Sequence, residues 1–315
     1  MIRWGFLGAG FIASRALGPA VHAADGSILQ SVAARDLQRA EQLEPKRACA
    51  NYAEVLDDPE VDAVYISLTN EAHLPWVTSA LAAGKHVLCE KPLGLNAVEV
   101  AEMFDSAEAA GRMLVEATMY RWHPRTRRAE ELVRSGAVGD VTAVQSSFTF
   151  TGVPEDNYRM EPARGGGAWY DVGCYTVSAA LWALGRGLGE PGSVVRTNLP
   201  SGVDGSVEAA WADPEVRLRA SIIDSPEQTL RVRGTAGELH LGSGSEAFTA
   251  WHEPVELRLR TRSGESVEEF PAVDPYRRMV EGFTQRLADG EAWVVPAAES
   301  LAVAATMDSV RNRGG

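Results

Sequence analysis

The chain has 315 residues, more than one domain usually holds, and its 45% hydrophobic and 23% charged content is that of an ordinary soluble globular protein. A formal net charge of −13 without any basic block argues against nucleic-acid binding, and no apolar run approaches the roughly 20 residues that span a bilayer. Cys49, Cys89 and Cys174 are odd in number and far apart, which suggests neither a disulfide framework nor a metal cluster; the opening MIRWGFLGAGFIA lacks the pattern of a secretory leader, and a reducing cytoplasm is the expected compartment.

The first 120 residues alternate short apolar runs with helical patterns, as a parallel α/β sheet does. Ile2–Leu7 is a strand, followed by a glycine turn and a helix to about Ala24. Leu29–Ala34 is the second strand, and a helix starts at Asp36. Val61–Leu68 (VDAVYISL) is β-branched and almost continuously apolar, the mark of a strand buried on both faces. A helix over His73–Ala83 stops at Gly84, and His86–Cys89, Ala97–Ala110 and Met113–Ala117 read as strand, helix and strand. Beyond residue 121 the texture changes. A helix near Arg125–Ser135 precedes extended segments at Val141–Thr151, Val207–Trp211, Val216–Ile223, Thr229–Arg233, Glu238–Leu241, Val255–Thr261 and Val267–Phe270. In one of them Glu256, Arg258 and Arg260 interleave with Val255, Leu257 and Leu259, the period of two of a half-buried antiparallel sheet. Helices over Tyr276–Ala288 and Ala297–Asn312 close the chain. The expected fold is α/β: an N-terminal Rossmann dinucleotide-binding domain over residues 1–120, then a C-terminal α+β domain over 121–315 with a large, mostly antiparallel open sheet.

Gly8-Ala9-Gly10-Phe11-Ile12-Ala13 fits the dinucleotide pattern GxGxxG/A with Ala in the last place. The first glycine serves the tight turn, the second lets backbone approach a pyrophosphate, and the third small residue lets helix pack on strand. The helix start then offers N–H groups and a positive dipole end to the phosphates. Position after a strand and before a helix is the context that gives the pattern meaning. At the end of the second strand, Ala33-Ala34-Arg35-Asp36 chooses between cofactors. Arg35 suits a 2′-phosphate and favours NADP. Asp36, one residue on, keeps NAD open, or serves as N-cap of the next helix.

The run AGKHVLCEKPL (83–93) resembles the signature of the glucose–fructose oxidoreductase and inositol dehydrogenase (Gfo/Idh/MocA) family. So do DAVYIS (62–67) with Asn70 and His73, the glycine loop, GGGAWYDVGCY (165–175) and VRGTAG (232–237). The segments AARDLQRA (33–40) and EATMYRWHP (116–124) are similar to the dimeric dihydrodiol dehydrogenase and NADP-dependent D-xylose dehydrogenase branch. The resemblance places Lys91, in Glu90-Lys91-Pro92, beside the nicotinamide and the reacting hydroxyl or carbonyl. An ammonium there stabilises a developing alkoxide and relays a proton. It also implies that Thr69 (where Pro is commoner), Asn70, His73 and Glu90 contact the cofactor.

If the stretch after Ala168 is helical, Asp171 and Tyr175 stand at i, i+4 on one face. The family sets an acid and a Tyr or His in this arrangement, facing the lysine. A phenol, with a free pKa of about 10, needs a nearby ammonium to act as a base near neutrality. Lys91 and Tyr175 are therefore the expected proton-handling pair, with Asp171 positioning the substrate hydroxyl or tuning the lysine; Arg159 and Trp169 are candidate substrate contacts. The implied reaction is hydride transfer between a nicotinamide and a secondary alcohol or carbonyl of a sugar, cyclitol or vicinal diol. The alternatives are a biosynthetic keto-sugar reductase and a cofactor-bound regulator without turnover. By resemblance alone, a homodimer or higher homo-oligomer is expected.

Overall fold

The computed structural model describes residues 1–242 and 246–313. Its first sheet contains β1 (Ile2–Leu7), β2 (Ser27–Ala33), β3 (Arg47–Cys49), β4 (Ala63–Ile66), β5 (His86–Cys89) and β6 (Leu114–Glu116). All pairs are parallel, in the order β3-β2-β1-β4-β5-β6, the doubly wound arrangement whose switch point lies between β1 and β4. Connections run through α1 (Gly18–Ala23), α2 (Leu37–Glu41), α3 (Tyr52–Leu56), α4 (His73–Ala82) and α5 (Ala97–Ala110). β4 is buried at every position, as a parallel strand covered on both faces must be. The short edge strand β3 and helix α3 go beyond the sequence reading, because three residues beginning with exposed Arg47 carry no apolar run.

The second sheet has eight strands: β7 (Val141–Thr149), β8 (Ser193–Asn198), β9 (Asp204–Ala212), β10 (Glu215–Ser221), β11 (Glu227–Gly234), β12 (Gly237–Leu241), β13 (Val255–Thr261) and β14 (Gly264–Phe270). They lie in the order β14-β13-β12-β11-β7-β10-β9-β8, antiparallel except where β7 meets β10. Register aligns Val144 with Val216 and Val232, and Leu239 with Val232 and Leu259, so one face is a continuous apolar stripe. The helix α7 (Cys174–Leu184) packs over β7, β10 and β11. Arginines and glutamates occupy the alternate positions and pair with one another: Arg233 with Glu215, Arg231 with Glu238, Arg260 with Glu265. The remaining helices are α6 (Pro124–Arg134), α8 (Pro275–Asp289) and α9 (Ala297–Asn312).

The chain divides into two compact units that are not two consecutive stretches. The first comprises Met1–Gly94, Val98–Met119 and Asp274–Ser300; the second holds Leu95–Ala97, Tyr120–Val273 and the residues from Leu301 onward. The sequence reading placed α8 with the second domain, but it packs in the first. Phe283, fully buried, meets the Trp4 ring of β1 with centroids 4.9 Å apart, and Thr284 Oγ1 lies 3.2 Å from Ser27 Oγ on β2. The apolar side of α8 (Tyr276, Met279, Val280, Phe283) thus closes the first core. No described helix is long and apolar enough to cross a membrane.

Phe283→Ala should cost about 3–5 kcal/mol, the range for deleting a buried aromatic ring. Denaturant unfolding should show the loss as a lower midpoint with an unchanged slope.

Candidate active site

In the first unit, two sets of residues meet at the carboxyl edge of the parallel sheet, where open α/β sheets bind ligands. The first is the glycine loop after β1. Gly8 has φ +103°, and a Cβ there would stand 2.7 Å from the Ser67 carbonyl oxygen, so the turn admits only glycine. Gly8 N donates to Ala33 O (2.9 Å) and Ser67 N to Leu7 O (3.0 Å), tying the loop to β2 and β4. Helix begins at Phe11, which is 70% exposed, and Ile12 follows; Ala13 is fully buried against the sheet. The first intrahelical bond runs from Ser14 N to Gly10 O, and the N–H groups of a first turn have no intrahelical partner. Residues 13–17 form a π-helical turn before α1. At the end of β2, Arg35 is exposed, and Asp36 is the N-cap of α2, its Oδ1 accepting from Gln38 N at 3.0 Å. The donors and the glycine turn fit a dinucleotide diphosphate, and an exposed guanidinium such as that of Arg35 has the chemistry that suits a phosphate.

The second set follows β5. Tyr65, fully buried in β4, donates to Glu90 Oε1 at 2.6 Å, while Glu90 Oε2 accepts from Lys91 N at 3.3 Å. Burial, reinforced by the Glu90 carboxylate, holds the Tyr65 phenol well above its ordinary range, and burial does the same to the Cys89 thiol. Lys91 itself is half-buried and is joined to Pro92 by a cis peptide bond. Thr69 donates its hydroxyl to Glu71, and Asn70 is buried at the head of the turn leading into α4.

The expected cofactor contact at His73 takes a different form. Its ring is fully buried, with Nδ1 3.0 Å from Pro92 O and Nε2 3.3 Å from Leu68 O. Burial lowers its pKa, and a neutral ring donates to one of these carbonyls at a time. His73 ties the loop after β4 to the loop carrying Lys91; its nitrogens are turned to the backbone.

In the second unit, GGGAWYDVGCY forms a tight turn leading into a π-helical turn, Trp169–Gly173, and then α7. The expected plain i, i+4 helix is therefore wider by a residue at Asp171. Gly167 has φ +106°, and a Cβ on it would stand 2.5 Å from Asp204 Oδ1; one on Gly166 would meet Arg159 O at the same distance. Asp204 Oδ2 in turn accepts from Trp169 N at 2.6 Å. The glycines let this turn lie against Asp204 and the Arg159 backbone.

Asp171 is buried and paired: Arg159 Nε donates to its Oδ2 at 2.7 Å, and Asn157 Oδ1 accepts from Arg159 N. Burial opposes the charge on Arg159, but Asp171 more than offsets it, with a smaller contribution from Tyr175, and holds the guanidinium above its ordinary value. The Tyr175 ring packs against Phe148 (5.3 Å) and Tyr120 (5.9 Å), and Asp171 and Tyr175 both act electrostatically on Arg159, which joins the three in one cluster. Trp169, expected as a substrate contact, is 1% exposed and donates its indole N–H to Met307 O at 3.2 Å; it is part of the core of this unit. The sequence reading gave no role to Tyr65 or Glu116. A phenol in a continuously apolar strand was the available signal, because a buried hydroxyl has to find an acceptor.

Family models cover most of the chain. Residues 2–118 match the Gfo/Idh/MocA model described as an oxidoreductase family with an NAD-binding Rossmann fold, and residues 126–240 match the GFO/IDH/MocA C-terminal domain. The chain is 38% identical to D-xylose 1-dehydrogenase (NADP(+)) 2 of Haloferax volcanii over 98% of its own length and 95% of that protein. It is 33% identical to trans-1,2-dihydrobenzene-1,2-diol dehydrogenase of Sus scrofa, covering 75% and 72% of the two chains. Among solved structures, a 3-ketoreductase from Actinomadura kijaniata in complex with NADP and TDP-benzene superimposes with a TM-score of 0.90 at 28% identity, covering 99% of this chain and 97% of that one. Variants of that enzyme with a Lys→Ala and a Tyr→Phe replacement are also solved, and the two replaced residues are as far apart in its sequence as Lys91 and Tyr175 are here.

Gly167→Ala should destabilise the protein by more than about 1 kcal/mol, since the backbone conformation excludes a side chain. Thermal unfolding should show the loss, together with lower turnover per folded molecule as the Asp171 turn shifts.

Proposed function

The chain belongs to the Gfo/Idh/MocA oxidoreductase family, and from that premise we propose that it is an NADP-dependent dehydrogenase acting on a secondary alcohol of a sugar, cyclitol or vicinal diol. The single observation that carries the reading is the Lys91 segment. A half-buried lysine follows a parallel strand two places from β1, at the same sheet edge as the glycine loop. Bound nicotinamide supplies the hydride acceptor, or the donor in the reverse direction. Gly8, Gly10, Phe11 and Ile12 would hold the diphosphate, Arg35 would hold the 2′-phosphate, and Thr69, Asn70 and Glu90 would contact the nicotinamide.

In the oxidative direction the substrate C–H bond breaks with its electron pair, and the hydroxyl proton must leave as the carbonyl forms. Lys91 and Tyr175 take that proton between them, the ammonium stabilising oxygen charge in the transition state. Asp171, already paired with Arg159, orients Arg159 and the Tyr175 side of the cluster; Arg159 binds substrate oxygens through its remaining donors. The xylose and dihydrodiol dehydrogenase relatives support this reading.

A second reading, reduction of a nucleotide-linked keto sugar, draws support from the fit to the Actinomadura enzyme and from 34% identity to dTDP-3,4-didehydro-2,6-dideoxy-alpha-D-glucose 3-reductase of Streptomyces violaceoruber. Assays with NADP and a panel of aldoses, cyclitols and vicinal diols, set beside NADPH and nucleotide-linked keto sugars, separate the two. Inertness toward both panels with tight NADPH binding would leave a cofactor-bound regulator. The ion-paired outer face of the eight-stranded sheet is read as the contact of a homo-oligomer, which sedimentation velocity tests. The three cysteines, all buried, suit a reducing cytoplasm.

Arg35→Ala should raise KM for NADP about tenfold or more and leave that for NAD nearly unchanged, because only NADP carries the phosphate. Lys91→Ala and Tyr175→Phe should each lower kcat by a factor of about 10²–10⁴, the usual contribution of a positioned acid or base, while NADPH still binds. Near-normal turnover in Tyr175→Phe would remove the phenol from the chemistry.

A further inference from the structure

We propose that Glu116 is the positioning residue of Lys91: its buried carboxylate fixes the backbone just beyond the lysine and supplies a negative charge that the ammonium feels. The inference rests on the reading of Lys91 as a proton-handling residue. Glu116 ends β6, in register with Cys89 of β5, and is 4% exposed. Removing a carboxylate from water costs several kcal/mol unless hydrogen bonds and opposite charge compensate, so its surroundings are informative. Its Oε1 accepts from Leu93 N at 3.0 Å.

Pro92 has no N–H, so residues 91–93 offer two backbone donors, Lys91 N and Leu93 N. Glu90 Oε2 takes the first and Glu116 Oε1 the second. The carbonyl between them, Pro92 O, faces His73 Nδ1. The backbone around Lys91 is therefore held on each side by a buried or half-buried side chain. Glu116 is the one member supplied from β6, a strand of the sheet, and lies outside the loop it holds.

Charge points the same way. Burial raises the pKa of Glu116, with Glu90 adding to it, while the Ser300 hydroxyl, Leu93 N–H and the Lys91 ammonium pull it back. The other titratable groups packed here are Tyr65 on β4, Cys89 on β5 and His73 on α4, with Tyr276 of α8 acting on Tyr65. Burial keeps the Tyr65 phenol and Cys89 thiol protonated and His73 neutral. Glu90 and Glu116 act on one another here, and Lys91 acts on Glu116. A carboxylate that acts on an ammonium favours its protonated form, and removing it weakens that preference.

The full-length protein carrying Glu116→Gln, Glu116→Leu or Glu116→Asp tests this. Reactivity of the Lys91 amine toward acetic anhydride is read by peptide mass spectrometry across pH, beside kcat on whichever panel substrate turns over and NADPH binding by fluorescence. Gln keeps an oxygen for Leu93 N but loses the charge. It should bind NADPH normally, label at a pH lower by about one unit, and lose about tenfold in kcat. Leu should lose more, whereas Asp should keep the wild-type labelling pH with reduced kcat. The proposal is overturned if Gln labels and turns over as wild type, or if all three variants lose only thermal stability while the folded fraction keeps the wild-type labelling pH and kcat. Lys91→Ala in the same series separates the two levels. Normal turnover there removes the role of Lys91 itself, whereas an inactive Lys91→Ala beside a wild-type-like Glu116→Gln removes only the role of Glu116.

Discussion

The hydrogen bond from Tyr65 to Glu90, made where no water reaches the phenol, sets the geometry of the sheet edge. A buried hydroxyl left without a partner costs about 1–3 kcal/mol, so the strand that carries Tyr65 dictates where the Glu90 carboxylate lies. That carboxylate has a second oxygen, which accepts from the amide of the next residue, Lys91. One requirement of the core is thus converted into the position of the Lys91 backbone. The same environment holds the Tyr65 phenol protonated, so the donor in this bond does not switch off at working pH.

The second unit uses a comparable device with different parts. Asp204, whose burial raises its pKa, accepts from Trp169 N, and the absence of a side chain on Gly167 lets it come that close. Asp171, four residues beyond Gly167, is then held by Arg159. In each unit a buried carboxylate grips a backbone N–H one or two residues from a group assigned to chemistry. Such a carboxylate is costly to bury alone and strongly directional once paired, which suits it to fixing a loop within a few tenths of an ångström.

Much of this architecture is written in local pattern. The parallel sheet follows from β-branched runs spaced by helices, and the antiparallel sheet from the alternation at Val255–Thr261, because burial on two faces or one imposes those periods. The glycine loop is legible because Gly8 has no substitute at its φ. Membership of α8 in the first unit is not legible: an amphipathic helix states that it has an apolar side but not which core receives it, and Phe283 finds Trp4 across most of the sequence. At the site, Lys91, Asp171 and Tyr175 are readable as motif residues. The ring nitrogens of His73 and Trp169 lie on backbone carbonyls, which no motif reveals, since a histidine or tryptophan in a motif looks the same whether its ring faces a ligand or a backbone carbonyl. The contact of Glu116 to Leu93, on a neighbouring strand's loop, is not legible, because it joins residues with no shared local pattern.

Arg35 and Asp36 show how little sequence distance separates cofactor choice from scaffolding. An acid at the end of the second strand usually binds ribose hydroxyls, yet Asp36 spends its carboxylate on the amide of Gln38. A cap is worth about 1 kcal/mol to a helix, and α2 is only five residues long, so releasing Asp36 to a ribose would cost the helix its start. The capping bond occupies the carboxylate that an NAD-type site would otherwise offer to a ribose. Residues 150–168 contain no strand among them and include Tyr158, whose ring lies 4.8 Å from the Arg159 guanidinium. Loops of this kind change readily while the sheets behind them stay fixed. Arg159 is the member of that loop tied to the buried Asp171, so the loop can vary in shape around a guanidinium whose position the core has already set.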